Sequence, residues 1–247
     1  MIPKVIHYCW FGRNPLPPLA IKCIESWKKF FPDYEIKEWN EDNFDVNMIP
    51  YIKEAYEVKK YAFVSDFARF WILYKYGGLY FDTDVEVIKP MDDIIACGSF
   101  MGCEDEATIS NVANVAPGLG LGVVPEHKFY KEMIELYSGI NFYKETGLNT
   151  VTVVEYTTKL LEKKGYKISN SIQIVDNIWI YPKEYFCPLD YKKNRLQITD
   201  KTCTIHHYMA SWLTPCDKMK ICVSKVIGKR NTNRIISFKK IIKRLFR

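Results

Sequence analysis

The sequence predicts a layered α/β domain, and three observations carry that prediction. Strand-like apolar runs alternate with helix-like stretches over most of the chain. A hydrophobic share of 48% and an aromatic share of 15% over 247 residues supply enough apolar surface for one large core, or one with a small appendage. No internal repeat or low-complexity segment interrupts the alternation.

Taken in order, Lys4 to Trp10 (KVIHYCW) reads as a strand, and FGRNPLPP then supplies Gly and Pro breakers. From Leu19 to Phe31 the apolar residues Ile21, Ile24, Trp27, Phe30 and Phe31 recur at helical spacing until Pro32 and Asp33 end the pattern. Tyr34 to Trp39 alternates with period two, as a half-buried strand does. A long helix is predicted over Tyr61 to Tyr76, with Gly77-Gly78 as its stop. Leu79 to Phe81 and Val85 to Ile88 read as strands around Asp82-Thr83-Asp84. Helices are then expected over His127 to Tyr137 and Val151 to Lys164, and strands over Gln173 to Tyr181 and Thr202 to His206.

The chemistry concentrates in YGGLYFDTDVE, Tyr76 to Glu86, where two aspartates follow a short apolar strand. Such a pair either ends a strand at the surface or faces a cation. In open α/β sheets ligands lie beyond the carboxyl ends of strands, and two hard oxygen ligands suit Mg²⁺ or Mn²⁺, with water and a diphosphate completing the shell. Upstream, Asp66 and Arg69 stand three residues apart and share one helix face. They form either a solvated helix pair or a site in which Asp66 accepts from sugar hydroxyls while Arg69 supports it or reaches a phosphate.

Charge and cysteine usage narrow the class. The net charge of +6 comes from the C-terminus, since Lys218 to Arg247 carries eleven Lys or Arg and no acid, leaving 24 basic against 29 acidic residues elsewhere. A mildly acidic body with a basic tail does not look like a nucleic-acid binder. Cys9, Cys23, Cys97, Cys103, Cys187, Cys203, Cys216 and Cys222 show no CxxC spacing, which argues against zinc and for buried thiols in a reducing compartment. With no apolar run near the roughly 20 residues of a membrane-spanning helix and no secretory-signal layout at MIPKVIHYCW, a cytoplasmic location is expected.

The sequence resembles the DXD glycosyltransferases of the family 32-like group, which include capsular polysaccharide synthesis enzymes and initiating fungal mannosyltransferases. The matching residues are Ile2 to Trp10, Ser26-Trp27-Lys28-Lys29 before Pro32-Asp33-Tyr34, Ala62 to Arg69, Gly77 to Asp84, and His206 to Trp212, in the family's order. It is also distantly similar to the catalytic domains of large bacterial glucosylating toxins. The resemblance implies a GT-A type mixed sheet flanked by helices, a nucleoside-diphosphate sugar donor and Mn²⁺ or Mg²⁺. A UDP-sugar is expected, with retention of anomeric configuration and a glycan or lipid-linked acceptor in cell-surface polysaccharide synthesis. Carried over by residue, Trp10 would stack on the nucleobase within the segment that holds His7, Asp66 and Arg69 would hold the sugar or ribose, and Asp82, Thr83 and Asp84 would face metal and diphosphate. In HHYMASW, His206 to Trp212, a histidine would complete the metal shell, His207 first and His206 close behind, while Ser211 and the Trp212 indole would donate to the β-phosphate.

In the stretch Ile109 to Lys128, Asn111, Asn114 and the glycines Gly118, Gly120 and Gly122 are candidates to approach the sugar, the glycine run reading as a flexible acceptor-side loop. Asn149, Thr150 and Thr152 are expected to line the same cleft. No strong base for the acceptor is evident, so the departing phosphate oxygen is expected to take the acceptor proton, with covalent double displacement as the alternative. Two rival functions stay open: a phosphatase of the haloacid dehalogenase type using DTD, and a non-catalytic membrane-associated protein. The chain is expected to divide into a catalytic domain, 1–222, and a basic amphipathic helix, 223–247. That helix would dock on the anionic inner face of a membrane.

Overall fold

The structure, a computed structural model, describes residues 1–108, 113–190 and 195–209. The readings on Asn111, Ser211, Trp212, the boundary at 222/223 and the basic tail therefore lie outside the described residues. The described fold belongs to the compact unit Met1–Tyr208.

The first half follows the sequence closely. β1 (Val5–Cys9) leads to α1 (Pro18–Phe30), which opens on a proline where a missing N–H costs nothing and turns Ala20, Cys23, Ile24 and Trp27 inward. β2 (Glu35–Trp39) is followed by α2 (Pro50–Glu57), a helix the sequence reading misses because only Tyr51, Ile52 and Ala55 mark its buried side. α3 (Tyr61–Tyr76) has the expected bounds, and of the two readings left open for Asp66 and Arg69 the solvated pair is not what forms: both are buried with Val64, Phe67, Phe70 and Leu73. It ends where it must, since Gly77 and Gly78 take φ values of 62° and 99°, and a β-carbon on Gly78 would stand 2.7 Å from the Val5 carbonyl oxygen.

Next come β3 (Gly78–Tyr80), β4 (Val85–Val87), α4 (Asp92–Cys97), β5 (Phe100–Gly102), β6 (Leu121–Val123) and α5 (Lys128–Ser138). The chain continues through a small hairpin, β7 (Tyr143–Lys144) with β8 (Gly147–Leu148), to α6 (Val153–Lys163). Gln173 to Tyr181, read as one strand, is two: β9 (Gln173–Val175) and β10 (Ile178–Tyr181) pair antiparallel around Asp176-Asn177. Both turn residues have positive φ, 52° and 62°, the geometry that matches strand twist in a two-residue turn. α7 (Lys183–Phe186), the short pair β11 (Leu189–Asp190) and β12 (Arg195–Leu196), and β13 (Thr204–His206) complete the described elements.

The main sheet has seven strands in the order β2-β1-β3-β6-β5-β10-β9, with β6 and β9 running against the other five. The expected mixed α/β sheet flanked by helices is what forms. Alternation along each strand divides the side chains between two apolar layers. Cys9, Tyr80 and Met101 face the layer of α2, α3, α5 and α6, whereas Tyr8, Leu79, Phe81 and Phe100 face the layer that holds Trp27 of α1. Each fully buried aromatic of these layers contributes about 1.5–3 kcal/mol on transfer from water. Because Asp82 lies two residues beyond Tyr80, it inherits the face turned toward α3. A separate ladder joins β4 to β13, with His206 opposite Val85. Strands β1, β3, β5 and β10 end on the same edge, and that edge carries Trp10 and Asp82.

Candidate active site

At the end of β1, the Trp10 backbone N–H donates to the Trp39 carbonyl (2.9 Å) and its indole Nε1 donates to the Asn14 carbonyl (2.6 Å). The loop after it is held by Glu41, whose Oε1 accepts from the Gly12 N–H (2.6 Å) and the Tyr56 hydroxyl (2.9 Å). Trp10 is half-buried, and the ring is held by its edge. His7, grouped with it from the sequence, is a correction. Its ring is buried, Nδ1 accepts from Trp39 Nε1 (3.0 Å) and Nε2 pairs with the Gly77 carbonyl (3.0 Å), so both nitrogens are committed inside the fold. Burial above all, with the charge of Lys37, holds it neutral at a pKa of about 4, despite the opposing Gly77 bond.

The centre of the site is a buried charge cluster. Arg69 Nη2 lies 2.9 Å from Asp66 Oδ1 and 3.2 Å from Asp82 Oδ1, while Nη1 lies 3.4 Å from Asp82 Oδ2. Its Nε donates to the Ser65 carbonyl (3.2 Å), and the guanidinium carbon stands 5.0 Å from the Tyr80 ring centroid. One planar fork thus spans two carboxylates, a geometry lysine cannot reproduce. The Tyr80 hydroxyl adds a bond to Asp82 Oδ1 (3.2 Å). Burial pushes the Asp66 carboxyl upward, Arg69 pulls it back and Asp82 pushes with burial; Asp82 is raised likewise, chiefly by burial. Tyr80 is a residue the sequence reading missed. The period-two step from Tyr80 to Asp82 was the available signal.

The turn itself is gripped by backbone bonds. The Asp82 N–H donates to the Gly118 carbonyl (3.0 Å), and the Val85 N–H to the Asp82 carbonyl (3.0 Å), with Thr83 buried between them. Gly118 is therefore part of the wall behind the motif, and Leu121-Gly122-Val123 is the central strand β6. The flexible acceptor-side loop read from the glycine run is a correction, because its end, Leu121-Gly122, pairs with β3 in the middle of the sheet.

Asp84 is buried and faces His206, whose Nε2 lies 3.2 Å from its Oδ1. Burial acts to lower the His206 pKa, but the charge and hydrogen bond of Asp84 outweigh it and raise it. His207, the first choice from sequence, follows the last residue of β13 and is engaged elsewhere. Its Nε2 meets Glu86 Oε2 (2.8 Å), on the oxygen that also takes Lys22 Nζ (2.8 Å). Beyond His206, the Tyr208 ring lies tilted by 47° with its centroid 4.2 Å away, and its hydroxyl lies 3.0 Å from Cys187 Sγ.

The remaining candidates are dispersed. Asn114 has its Nδ2 3.4 Å from Asp105 Oδ2, and its carbonyl accepts from the Glu104 N–H (2.9 Å). Asn149 is buried with its amide on the Tyr156 hydroxyl (3.0 Å) and the Asn141 carbonyl (3.4 Å), and Thr152 caps α6 by accepting from the Glu155 N–H (3.3 Å). Both serve the helical layer, a correction to the cleft-lining reading; Thr150 is exposed.

The donor set fits a hard divalent cation in part. Asp82 and Asp84 supply carboxylate oxygens and His206 an imidazole, and its Nδ1 is buried with no hydrogen-bond partner among the described residues. The described residues contain no preformed group of three or more such side chains gathered around one point. This suits an ion that takes the rest of its shell from water and a diphosphate.

Residues 17–101 match the glycosyltransferase sugar-binding region containing a DXD motif. Inositol phosphoceramide mannosyltransferase 3 of Schizosaccharomyces pombe is 29% identical over 137 residues, 54% of this chain and 36% of that protein. The chain thus spans little more than a third of that relative's length. The uncharacterized glycosyltransferase L373 of Acanthamoeba polyphaga mimivirus is 28% identical over 238 residues, 90% of this chain and 87% of that one. Among solved structures, PaToxG glycosyltransferase aligns with 66% of this chain and 70% of its own at 19% identity and a TM-score of 0.48. Asp82-Thr83-Asp84 lies inside the matched segment, so the chain carries a region similar to the DXD-containing sugar-binding region of glycosyltransferases.

Proposed function

We propose that this protein is a metal-dependent, retaining glycosyltransferase of the GT-A type. It moves a sugar from a nucleoside-diphosphate sugar, expected to be a UDP-sugar, to a glycan or lipid-linked acceptor in cell-surface polysaccharide synthesis. The observation that carries this reading is the 3.2 Å approach of His206 to Asp84, two residues beyond Asp82, which follows the strand edge that also carries Trp10 and pairs with Arg69 and, through it, Asp66. A phosphatase of the haloacid dehalogenase type has no use for a histidine opposite the second aspartate, and a purely binding role leaves the buried charge cluster without a task.

In this reading Asp82, Asp84 and His206 hold Mn²⁺ or Mg²⁺. The ion, when bound, neutralises charge growing on the departing diphosphate. Arg69 keeps Asp82 ionised and turned toward the cleft, and it keeps Asp66 in place to accept from sugar or ribose hydroxyls. The face of Trp10 offers a flat apolar surface to a nucleobase. The bond from the anomeric carbon to the phosphate oxygen breaks as the acceptor oxygen bonds to the same face. The acceptor proton passes to the departing phosphate oxygen.

The mannosyltransferase names among its relatives support a lipid-linked acceptor. Work at the inner face of a membrane is proposed with it, by peripheral contact with anionic lipid. No helix among the described residues is long and apolar enough to cross a membrane. The test is release of nucleoside diphosphate from UDP- and GDP-sugars by the full chain. We expect dependence on Mn²⁺ or Mg²⁺ and collapse in Asp84→Ala; undiminished turnover in excess chelator refutes the reading.

A further inference from the structure

We propose that Ser26 and Trp27 of α1 are positioning residues for the cation-binding end of the site, acting through the backbone of β4; this rests on the metal-dependent reading above. Among the described residues β4 has a strand neighbour on one edge only. The His207 N–H donates to the Asp84 carbonyl (2.9 Å) and the Ile88 N–H to the Cys203 carbonyl (2.9 Å), so the alternate backbone groups, those of Val85 and Val87, are turned away from β13.

On that outer edge α1 stands where another strand would be. Trp27 Nε1 donates to the Val85 carbonyl at 2.8 Å, and the Val87 N–H donates to Ser26 Oγ at 2.9 Å. Ser26 Oγ in turn donates to the Cys23 carbonyl at 2.6 Å, which fixes its lone pairs toward Val87. Trp27 is fully buried against Tyr8 and Phe81, with ring centroids 5.7 and 5.5 Å away, so its N–H has one direction to point.

The consequence reaches the carboxylate. Asp84 immediately precedes Val85, and His206 lies opposite Val85 in the ladder. The two peptides that flank Val85 are therefore held from opposite sides, the Asp84–Val85 peptide by the His207 N–H and the Val85–Glu86 peptide by the Trp27 indole. Fixing these two peptides orients the 3.2 Å approach of Asp84, just ahead of β4, to His206 of β13. Ser26 sets the strand's other end, so β4 cannot slide or tilt. Metal sites are sensitive to such outer supports, whose loss typically costs about 10–100-fold in affinity.

The experiment titrates Mn²⁺ into the full chain with UDP or GDP present and reads free Mn²⁺ by electron paramagnetic resonance, alongside thermal melting. Trp27→Phe keeps the ring and loses the donor; Ser26→Ala is the milder variant and Ser26→Thr keeps the hydroxyl. Leu161→Ala in α6, fully buried in the other apolar layer, serves as a destabilised control. We expect Trp27→Phe and Ser26→Ala to weaken Mn²⁺ binding about 10-fold or more, with Ser26→Thr restored and Leu161→Ala unchanged at an equal or larger loss of melting temperature. Wild-type binding in Trp27→Phe and Ser26→Ala, or an equal loss in Leu161→Ala, overturns the positioning role alone. No Mn²⁺ uptake by the wild-type chain with either nucleotide overturns the metal-dependent reading and this inference together.

Discussion

Gly118 lies against Asp82 so closely that a β-carbon built on it would stand 1.9 Å from the Asp82 Oδ2 and 3.1 Å from Arg69 Nη1. The backbone bond from Asp82 N–H to the Gly118 carbonyl leaves neither residue room to retreat. Gly118→Ala must therefore displace the first aspartate of the motif or break its pairing with Arg69. Overpacking of this kind costs about 1–3 kcal/mol of stability, and a misplacement near 1 Å can cost about 100-fold in turnover. We expect Gly118→Ala to fold with a lowered melting temperature and to lose at least about 10-fold in donor turnover; near-normal turnover shows that Asp82 tolerates the shift.

Arg69 divides its guanidinium between Asp66 and Asp82, so its removal strands two carboxylates in a poorly solvated cluster. Breaking a buried pair from one side costs about 3–5 kcal/mol, a large part of a typical domain's stability of about 5–15 kcal/mol. With Arg69 gone, the downward pull on Asp66 is lost and burial raises its carboxyl further. A carboxyl whose folded pKa exceeds its unfolded one binds the extra proton in the native state, so that stabilisation is present at low pH and lost as pH rises. Arg69→Ala should consequently be more destabilised at pH 8 than at pH 6, relative to wild type, in urea unfolding. An equal deficit at both values means that Asp66 does not take up the proton.

The two adjacent histidines should separate cleanly. His206 faces Asp84, and His207 closes a side-chain link with Glu86 and Lys22 on the opposite face. His206→Ala should weaken Mn²⁺ binding by about 10–100-fold, as loss of a donor or its support does. His207→Ala removes one arm of a partly exposed link and should cost less than about 1 kcal/mol of stability, with Mn²⁺ binding retained. Isothermal titration of both variants decides the matter, and loss confined to His207→Ala reverses the assignment.

How far such residues could be read from sequence depends on the kind of contact that decides them. The helix Tyr61–Tyr76 and its glycine stop were readable because spacing and φ preference act locally, and so was the DXD turn after an apolar strand. The choice between His206 and His207 was not, since a one-residue change of register exchanges the faces and the register is set by pairing with Val85, about 120 residues away. Gly118 misled for a similar reason: a glycine needed for close approach looks identical in sequence to one needed for flexibility. Gln173 to Tyr181 read as one strand because Asp176-Asn177 lacks the Gly that usually marks a two-residue turn. For Asp66 and Arg69 the spacing reports only a shared face and left a surface pair and a site both open, while the packing of α2 and α5 on α3 decides that the face is inside.

His7 offers a prediction about stability that is separate from the chemistry. Its ring lies in the core with both nitrogens engaged, and its pKa falls from 6.5 to about 4, chiefly through burial. The unfolded chain therefore binds a proton on His7 between these two values while the folded chain does not. Its contribution is fully present above pH 6.5 and is lost as pH falls from there toward 4. At about 1.4 kcal/mol per pKa unit the loss amounts to about 3 kcal/mol as an upper bound. Urea unfolding of the wild-type chain at pH 7.5 and pH 5 should show this decline. In His7→Gln, which has no proton to take up in this range, the decline should be visibly shallower even though the variant is less stable at pH 7.5, because the amide cannot satisfy both the Trp39 indole and the Gly77 carbonyl with the same geometry. Parallel declines in the two proteins would show that His7 is not the group that titrates.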